Sequence, residues 1–345
     1  MVNKNRNTKM PMARILNGIS NFGYTTVDAI LDIVDNSVVA KANNIRILIG
    51  KKDIEVMDDK SVQYIAVLDD GQGMNIDQIF NALMLGSPDS EESYEENSLS
   101  KFGFGLKSAG FSQASTVTVI SRDSAENDWI KSYINYDSIR DSNEWIVFEN
   151  EEITDQERKF LRLCMGSGTL VLLTDMSPIN EMNNYIPLVK QLKEKVAITY
   201  HRIMEDKKVS FSIDGEVIAP YDPLFCNEVN KLVDQYDGKE PCKFWNKDKV
   251  ITINSKNKSR ATIRAIQLPY PPGFKEEGRQ GEIQRKYKMF LKNIGFYIYR
   301  NNRLISQGVT LRNMCPRDQD YMALRIRIDL DSKCDSDVNL TCCAS

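Results

Sequence analysis

Histidine is almost missing from this chain: His201 is the one copy in 345 residues. Sites built on several imidazoles, whether zinc centres or proton relays, are therefore excluded. The seven cysteines (Cys164, Cys226, Cys242, Cys315, Cys334, Cys342, Cys343) contain no CxxC pair, and only Cys342 and Cys343 are close, as chain neighbours that suit each other poorly. They read as reduced thiols. No apolar run approaches the roughly 18 residues of a membrane span. The opening Met1-Val2-Asn3-Lys4-Asn5-Arg6-Asn7 lacks the apolar core of a signal peptide. A cytoplasmic protein that does not engage membrane is expected. A strong excess of one charge is lacking too: the net charge of -3 argues against a surface devoted to nucleic acid. One stretch departs from this balance. Between Gly273 and Arg303 stand eight basic residues (Lys275, Arg279, Arg285, Lys286, Lys288, Lys292, Arg300, Arg303) against three acids. A solvated loop and strand edge, or a contact with a phosphate backbone, would both explain it.

What is present is a soluble globular composition, 41% hydrophobic and 27% charged, in a chain long enough for two domains. Val27, Ile30, Leu31, Val34 and Val38 recur at helical spacing from Thr26 to Ala40, with Thr25 or Thr26 as cap. Residues 44–49 and 64–68 read as strands, the second closed by the turn Asp69-Asp70-Gly71-Gln72-Gly73. Helix returns over 76–85, and the polar, acid-rich run 86–100 reads as a mobile loop. A helix over 108–112 and strands over 117–121, 132–136, 145–148 and 169–174 follow, then one long connector helix over 185–204. Beyond a boundary near 200–208 come further strands at 209–213, 216–219, 249–253, 262–267 and 295–299.

Four segments carry chemistry. Asp32 and Asn36, four apart on the first helix, project from one face, where an acid and an amide can orient a water and hold Mg²⁺. Asp69-Asp70-Gly71-Gln72-Gly73-Met74 follows a strand; its glycines let backbone approach a flat ligand, and a buried carboxylate there accepts from a purine amine. Gly103-Phe104-Gly105-Leu106-Lys107-Ser108 opens a helix, where free N–H groups make an anion site. It is not a P-loop, because no glycine directly precedes Lys107-Ser108, nor a dinucleotide fingerprint, because position 108 is not glycine. Gly168-Thr169 opens a strand.

In this order, and spaced by about 35, 35 and 65 residues, the segments resemble the Bergerat-fold ATPases: gyrase B subunits, heat-shock chaperones of the ninety-kilodalton class, histidine kinases and MutL. Within that superfamily Val34-Asp35-Asn36-Ser37, Leu85-Gly86-Ser87 and Gly105-Leu106-Lys107-Ser108-Ala109 are similar to Microrchidia (MORC)-like proteins, including bacterial ones, and to MutL. Gly295-Phe296-Tyr297-Ile298-Tyr299-Arg300-Asn301-Asn302-Arg303-Leu304-Ile305 looks like the strand and turn of their transducer. The resemblance implies an α/β (α+β) chain: a helix-on-mixed-sheet sandwich over 1–204, then a smaller βαβ transducer-like (ribosomal-S5-like) domain over 205–345.

It also implies roles. Asn36 ligates Mg²⁺, Asp69 binds the adenine amine in a pocket shaped by Gly71, Gly73 and Met74, and Thr169 supports Asp69. Residues 98–105, with Gly103, Phe104, Gly105 and Leu106, close over the triphosphate, and Lys107 and Ser108 lie near it. ATP and Mg²⁺ are the expected cofactors. The family's base is a glutamate four residues before the asparagine; here that position is Asp32, favoured over Asp35. The shorter side chain predicts slow hydrolysis, since a misplacement of about 1 Å costs on the order of 100-fold. A transducer lysine is expected near Asp337-Val338-Asn339-Leu340-Thr341, but Cys342-Cys343-Ala344-Ser345 follows and Lys333 matches poorly. The sensor comes from elsewhere, or this copy is truncated or altered there. The working expectation is an ATP-gated switch in which two copies pair, on DNA if the basic stretch binds it, beside partner proteins from the same operon in a phage-defence setting. The alternative is a nucleotide-dependent binding module or scaffold with negligible turnover. A histidine kinase is disfavoured, because His201 follows the nucleotide segments and reads as structural.

Overall fold

A computed structural model of the chain describes residues 11–21, 23–51, 62–86, 105–176, 184–226, 243–256, 258–268, 279–310 and 316–336. Two compact units emerge: residues 1–196 with 208–218, and residues 197–207 with 219–345.

The first unit is built on seven strands: β1 (Asn44–Lys51), β2 (Val62–Asp69), β3 (Ala114–Arg122), β4 (Ile130–Asn135), β5 (Gly168–Met176), β6 (Ser210–Ile213) and β7 (Glu216–Val217). Their order is β4-β3-β5-β2-β1-β6-β7. Only β1 and β6 run parallel, so the sheet is mixed. The β6–β7 hairpin, which follows position 204, therefore completes this sheet.

Both faces of the sheet are apolar, as the near-continuous runs in β2 and β5 require. Ile65, Val67, Val117 and Val119 point to one face, against a layer of α1 (Met12–Ser20), α2 (Thr26–Val39), α3 (Ile76–Leu83), α4 (Gly105–Gln113) and α5 (Tyr136–Ser142). Ala66, Leu68, Ile120, Leu170 and Leu172 point to the other, where Leu161 and Cys164 cover them. Leu161 ends α6 (Asp155–Leu161), whose start is fixed by a capping box between Thr154 and Glu157.

Helix α2 starts at the Thr25 cap, whose hydroxyl accepts from the Asp28 N–H. It is more than amphipathic: Asp35 and Ser37 are buried alongside Ile30, Ile33 and Val34, with Ser37 turned to Asp69 on β2 and α4 packed against the helix. The expected connector helix is two helices, α7 (Tyr185–Thr199) and α8 (His201–Lys207). The expected strand at 145–148 is reduced to one bridge, between Tyr133 and Phe148.

In the second unit β8 (Lys243–Asn254), β9 (Ser259–Gln267), β10 (Gly295–Arg300), β11 (Arg303–Val309) and β12 (Leu324–Leu330) form a sheet of order β11-β10-β12-β9-β8, in which only β10 and β12 are parallel. Tyr297, Tyr299, Ile266 and Leu304 build its core with Ile283 from α9 (Arg279–Lys286). Between β10 and β11 stand Asn301 and Asn302, at φ 49° and 67°, the pair of left-handed residues that a two-residue hairpin turn demands. The chain is thus α/β, with two mixed sheets and a smaller second unit.

Candidate functional site

The site is assembled by strand register. Asp69 on β2 pairs with Thr169 on β5, and Thr169 pairs with Ser121 on β3, so three polar side chains stand side by side on the face that carries α2. All three are buried, which obliges each to find partners. Asp69 Oδ2 accepts from the Ser37 hydroxyl of α2 at 2.7 Å, and Oδ1 accepts from the Gly71 N–H at 2.9 Å. Burial pushes the Asp69 carboxyl above the usual carboxylate range; the bonds from Ser37, Gly71 and the Thr169 N–H oppose the rise, and the neighbouring Asp70 carboxylate adds to it.

Ser121 uses its full hydrogen-bonding capacity. Its oxygen accepts from the Met74 N–H at 2.8 Å and its hydroxyl reaches the Gly168 carbonyl at 2.8 Å, while Thr169 Oγ1 lies 2.9 Å away. Because a serine has one proton to give, bonding to Gly168 makes Thr169 the donor in the remaining pair. The Thr169 oxygen then keeps its lone pairs for another donor.

The turn after β2 is held against both layers. Asp70 takes the N–H groups of Asn43 and Asn44 and the Asn44 side chain, so of two adjacent aspartates this one is structural. A Cβ on Gly71 would stand 2.7 Å from the Ala40 carbonyl oxygen, and one on Gly73, at φ +69°, only 1.8 Å from that of Arg122. Neither position admits a side chain without moving backbone. Arg122 in turn donates to the Gly166 and Met165 carbonyls and lies 4.4 Å over the Trp129 ring, tying β3 to the turn that leads into Gly168-Thr169.

Asp32 and Asn36 are half-buried on α2, one turn apart. Asp32 Oδ2 accepts from the Tyr24 hydroxyl at 2.7 Å. The Asn36 amide takes no hydrogen bond among the described residues, and Asn36 directly precedes Ser37, the partner of Asp69.

Gly105 opens α4, with nothing within 4 Å of where a Cβ would stand. Leu106 is half-buried, and the Ser108 hydroxyl turns back to the Gly105 carbonyl at 3.3 Å. Lys107 is 1% exposed, and Nζ donates to the carbonyls of Ala82 at 3.0 Å and Met84 at 2.9 Å. Its ammonium therefore caps the end of α3, where burial pushes its pKa down to about 8. Gly103, Phe104 and nearly all of the expected loop lie outside the described residues, as do Lys275, Cys242, Cys315, Cys342, Cys343 and the segment 337–341.

The structure thus brings Asp69, Gly71, Gly73, Met74 and Thr169 together, leaves Asn36 half-buried on α2 next in sequence to Ser37, and turns Lys107 toward α3. Ser37, Ser121 and Tyr24 are the site residues that sequence reasoning missed. Ser37 sits within a segment already singled out. Ser121 lies in an ordinary strand, and only register reveals it.

Residues 24–165 match the family model of histidine kinase-, DNA gyrase B-, and HSP90-like ATPases. No curated protein matches the chain. The match runs from Tyr24 through α2, the β2 turn and α4 to Met165, and supports ATP binding and an ATPase-type function for this domain.

Elsewhere in the first unit, a cavity of about 680 Å³ opens beside Arg122, Trp129, Leu161 and Arg162. It adjoins the α6 face of the sheet, opposite Asp69. His201 in the second unit is buried, with Nε2 3.0 Å from the Tyr299 hydroxyl, and burial pushes its pKa down to about 4. Cys164, Cys226 and Cys334 are free thiols. No described helix is long and apolar enough to cross a membrane.

Proposed function

We propose that this chain binds Mg²⁺–ATP in its first unit and hydrolyses it slowly, as an ATP-gated switch that pairs two copies. The observation that carries the reading is Asp69: a carboxylate 4% exposed at the end of a strand, beside Thr169 and a turn of two sterically obligatory glycines. Such a group suits the exocyclic amine of adenine, with Gly71, Gly73 and Met74 shaping the wall and Thr169 a second polar contact. The N–H groups that open α4, from Gly105 through Ser108, are assigned to the phosphates, and Gly103 and Phe104, outside the described residues, are assigned with them on the wording of the segment. Lys107 belongs to that turn as the cap that ties it to α3.

Asn36 is assigned to Mg²⁺. Its amide offers one hard oxygen, and among the described residues there is no group of three or more acids, histidines or cysteines fit to hold a metal. That donor set suits an ion which arrives with phosphates and keeps its own waters. Asp32 is assigned as the base that takes a proton from the attacking water.

Calorimetry with Mg²⁺–ATP tests the pocket: Asp69→Asn should weaken binding at least tenfold. Gel filtration with a non-hydrolysable ATP analogue tests the switch. The idea fails if Asn36→Ala alters neither affinity nor assembly.

A non-hydrolysing binding module is the second reading, favoured by the short side chain of Asp32 and its existing bond to Tyr24. Equal, near-zero phosphate release from wild type and Asp32→Ala would establish it. A place near MORC-like and MutL-like proteins, a cytoplasmic setting, operon partners and a phage-defence role rest on the wording of the segments alone. DNA is the further partner in this reading. Of the eight basic residues between 273 and 303, Arg300 and Arg303 are buried, whereas Arg285, Lys286, Lys288 and Lys292 are exposed. Charge reversal at Arg285, Lys286 and Lys288 that leaves low-salt DNA retention unchanged removes DNA from the account.

A further inference from the structure

The side-chain protons around Asp69 all run one way. Two oxygens 2.8 Å apart repel unless a proton lies between them, and the Gly168 carbonyl has none, so the Ser121 proton sits there. The Ser121 oxygen then takes the Met74 N–H at 2.8 Å and the Thr169 hydroxyl at 2.9 Å, which fills both lone pairs. Ser37 gives its proton to Asp69 Oδ2 at 2.7 Å, and the Thr169 N–H also bonds to Asp69. Ser37, Asp69, Ser121 and Thr169 are all buried, so water does not compete for these protons. Every side-chain proton of the set is spent within the wall. What the wall keeps for a ligand is the oxygen lone pairs of Asp69 and Thr169.

We propose that Ser121 is a positioning residue for base selection: by holding the Thr169 proton it makes the wall a surface of acceptors. Such a surface takes a purine through its exocyclic amine and turns away one that carries a carbonyl in that place. The inference rests on the reading of Asp69 as the adenine-binding carboxylate, and adds the sense of each bond. Thr169 alone would not impose the choice. A free threonine hydroxyl rotates and offers either its proton or a lone pair to whatever faces it. Tied to Ser121, it offers a lone pair only. A carbonyl oxygen set against that lone pair and the Asp69 carboxylate leaves acceptors facing acceptors, whereas an amine supplies the proton. Ser121 is itself 0% exposed, so it acts on the base through Thr169 rather than by contact.

Calorimetry on the full chain compares Mg²⁺–ATP with Mg²⁺–ITP, whose hypoxanthine carries a carbonyl in place of the amine. Wild type should favour ATP. Ser121→Ala frees the Thr169 proton to turn to that carbonyl, so the ratio of ATP to ITP affinity should fall about tenfold. Thr169→Val deletes the hydroxyl and should lower the ratio as well; adding Ser121→Ala to it should change the ratio no further. A Ser121 that served only the fold would weaken both nucleotides equally, so an unchanged ratio in Ser121→Ala overturns the inference. A fall of the same size when Thr169 is already valine also overturns it, as does a wild-type chain indifferent between the two nucleotides. Should Ser121→Ala fail to fold, Ser121→Cys keeps nearly the same volume with a weak acceptor. A smaller fall is expected there, and an unchanged ratio again counts against the inference. The underlying reading fails separately: Asp69→Asn with wild-type ATP affinity sinks the adenine assignment itself.

Discussion

Lys107→Met isolates one buried charge, and its effect can be worked from the structure. In the folded chain the Lys107 ammonium donates to the Ala82 and Met84 carbonyls and is 1% exposed. Methionine removes both donors and leaves two acceptors dry at the end of α3; each orphan costs about 1–3 kcal/mol. Against this, methionine also removes the desolvation of the ammonium. The pKa falls from 10.5 to about 8, which amounts to about 3 kcal/mol at neutral pH. The two terms oppose each other, so the net change near pH 7 should be modest, about 1–2 kcal/mol of destabilisation. The pH dependence is more decisive. Between about pH 8 and 10.5 the unfolded chain keeps a proton on Lys107 that the folded chain has released. Folding stability therefore rises with pH across that window and is lost as pH falls through about 8. The neutral amine still has two N–H groups for its two carbonyls, so deprotonation breaks no bond. Urea unfolding followed by tryptophan fluorescence, at steps from pH 7 to 10.5, should show wild type gaining about 3 kcal/mol relative to Lys107→Met. Parallel stability curves for the two proteins would refute the claim that this ammonium is desolvated.

Three other substitutions probe separate parts of the structure. Gly73→Ala should cost more than about 3 kcal/mol and yield little soluble protein, because the new Cβ stands 1.8 Å from the Arg122 carbonyl oxygen at φ +69°; expression and melting measure it. Ser121→Ala should destabilise by about 1–3 kcal/mol, as the Met74 N–H and the Thr169 hydroxyl lose their acceptor, and should weaken ATP binding in calorimetry through Thr169. His201→Gln should flatten the acid side of the stability curve. With a folded pKa of about 4 against 6.5, the unfolded chain binds the extra proton, so wild-type stability rises from about pH 4 to 6.5 and the variant lacks that slope.

Much of this could be read in advance. The helix over Thr26–Val39, the two strands that follow it, and the aspartate-glycine turn follow from apolar spacing and turn chemistry, which are local and therefore legible. The carboxylate proposed for adenine was legible because a run of apolar β residues ending in Asp69-Asp70-Gly71 places an acid at a strand end. The short helix α6 escaped the reading, although Thr154 and Glu157 spell out its capping box; seven residues give too few turns for periodicity to speak.

Sequence alone settled which segments carry oxygen ligands, backbone N–H groups and glycine, since those properties belong to residues and their near neighbours. Tertiary structure decided where the charges go. Register put Ser121 behind Thr169, docking of α2 on the sheet turned Ser37 to Asp69, and α3 claimed the Lys107 ammonium that the linear pattern assigned to phosphate. The physical reason is solvation. A buried donor must find an acceptor, and which acceptor lies within 3 Å is fixed by elements far apart in the chain.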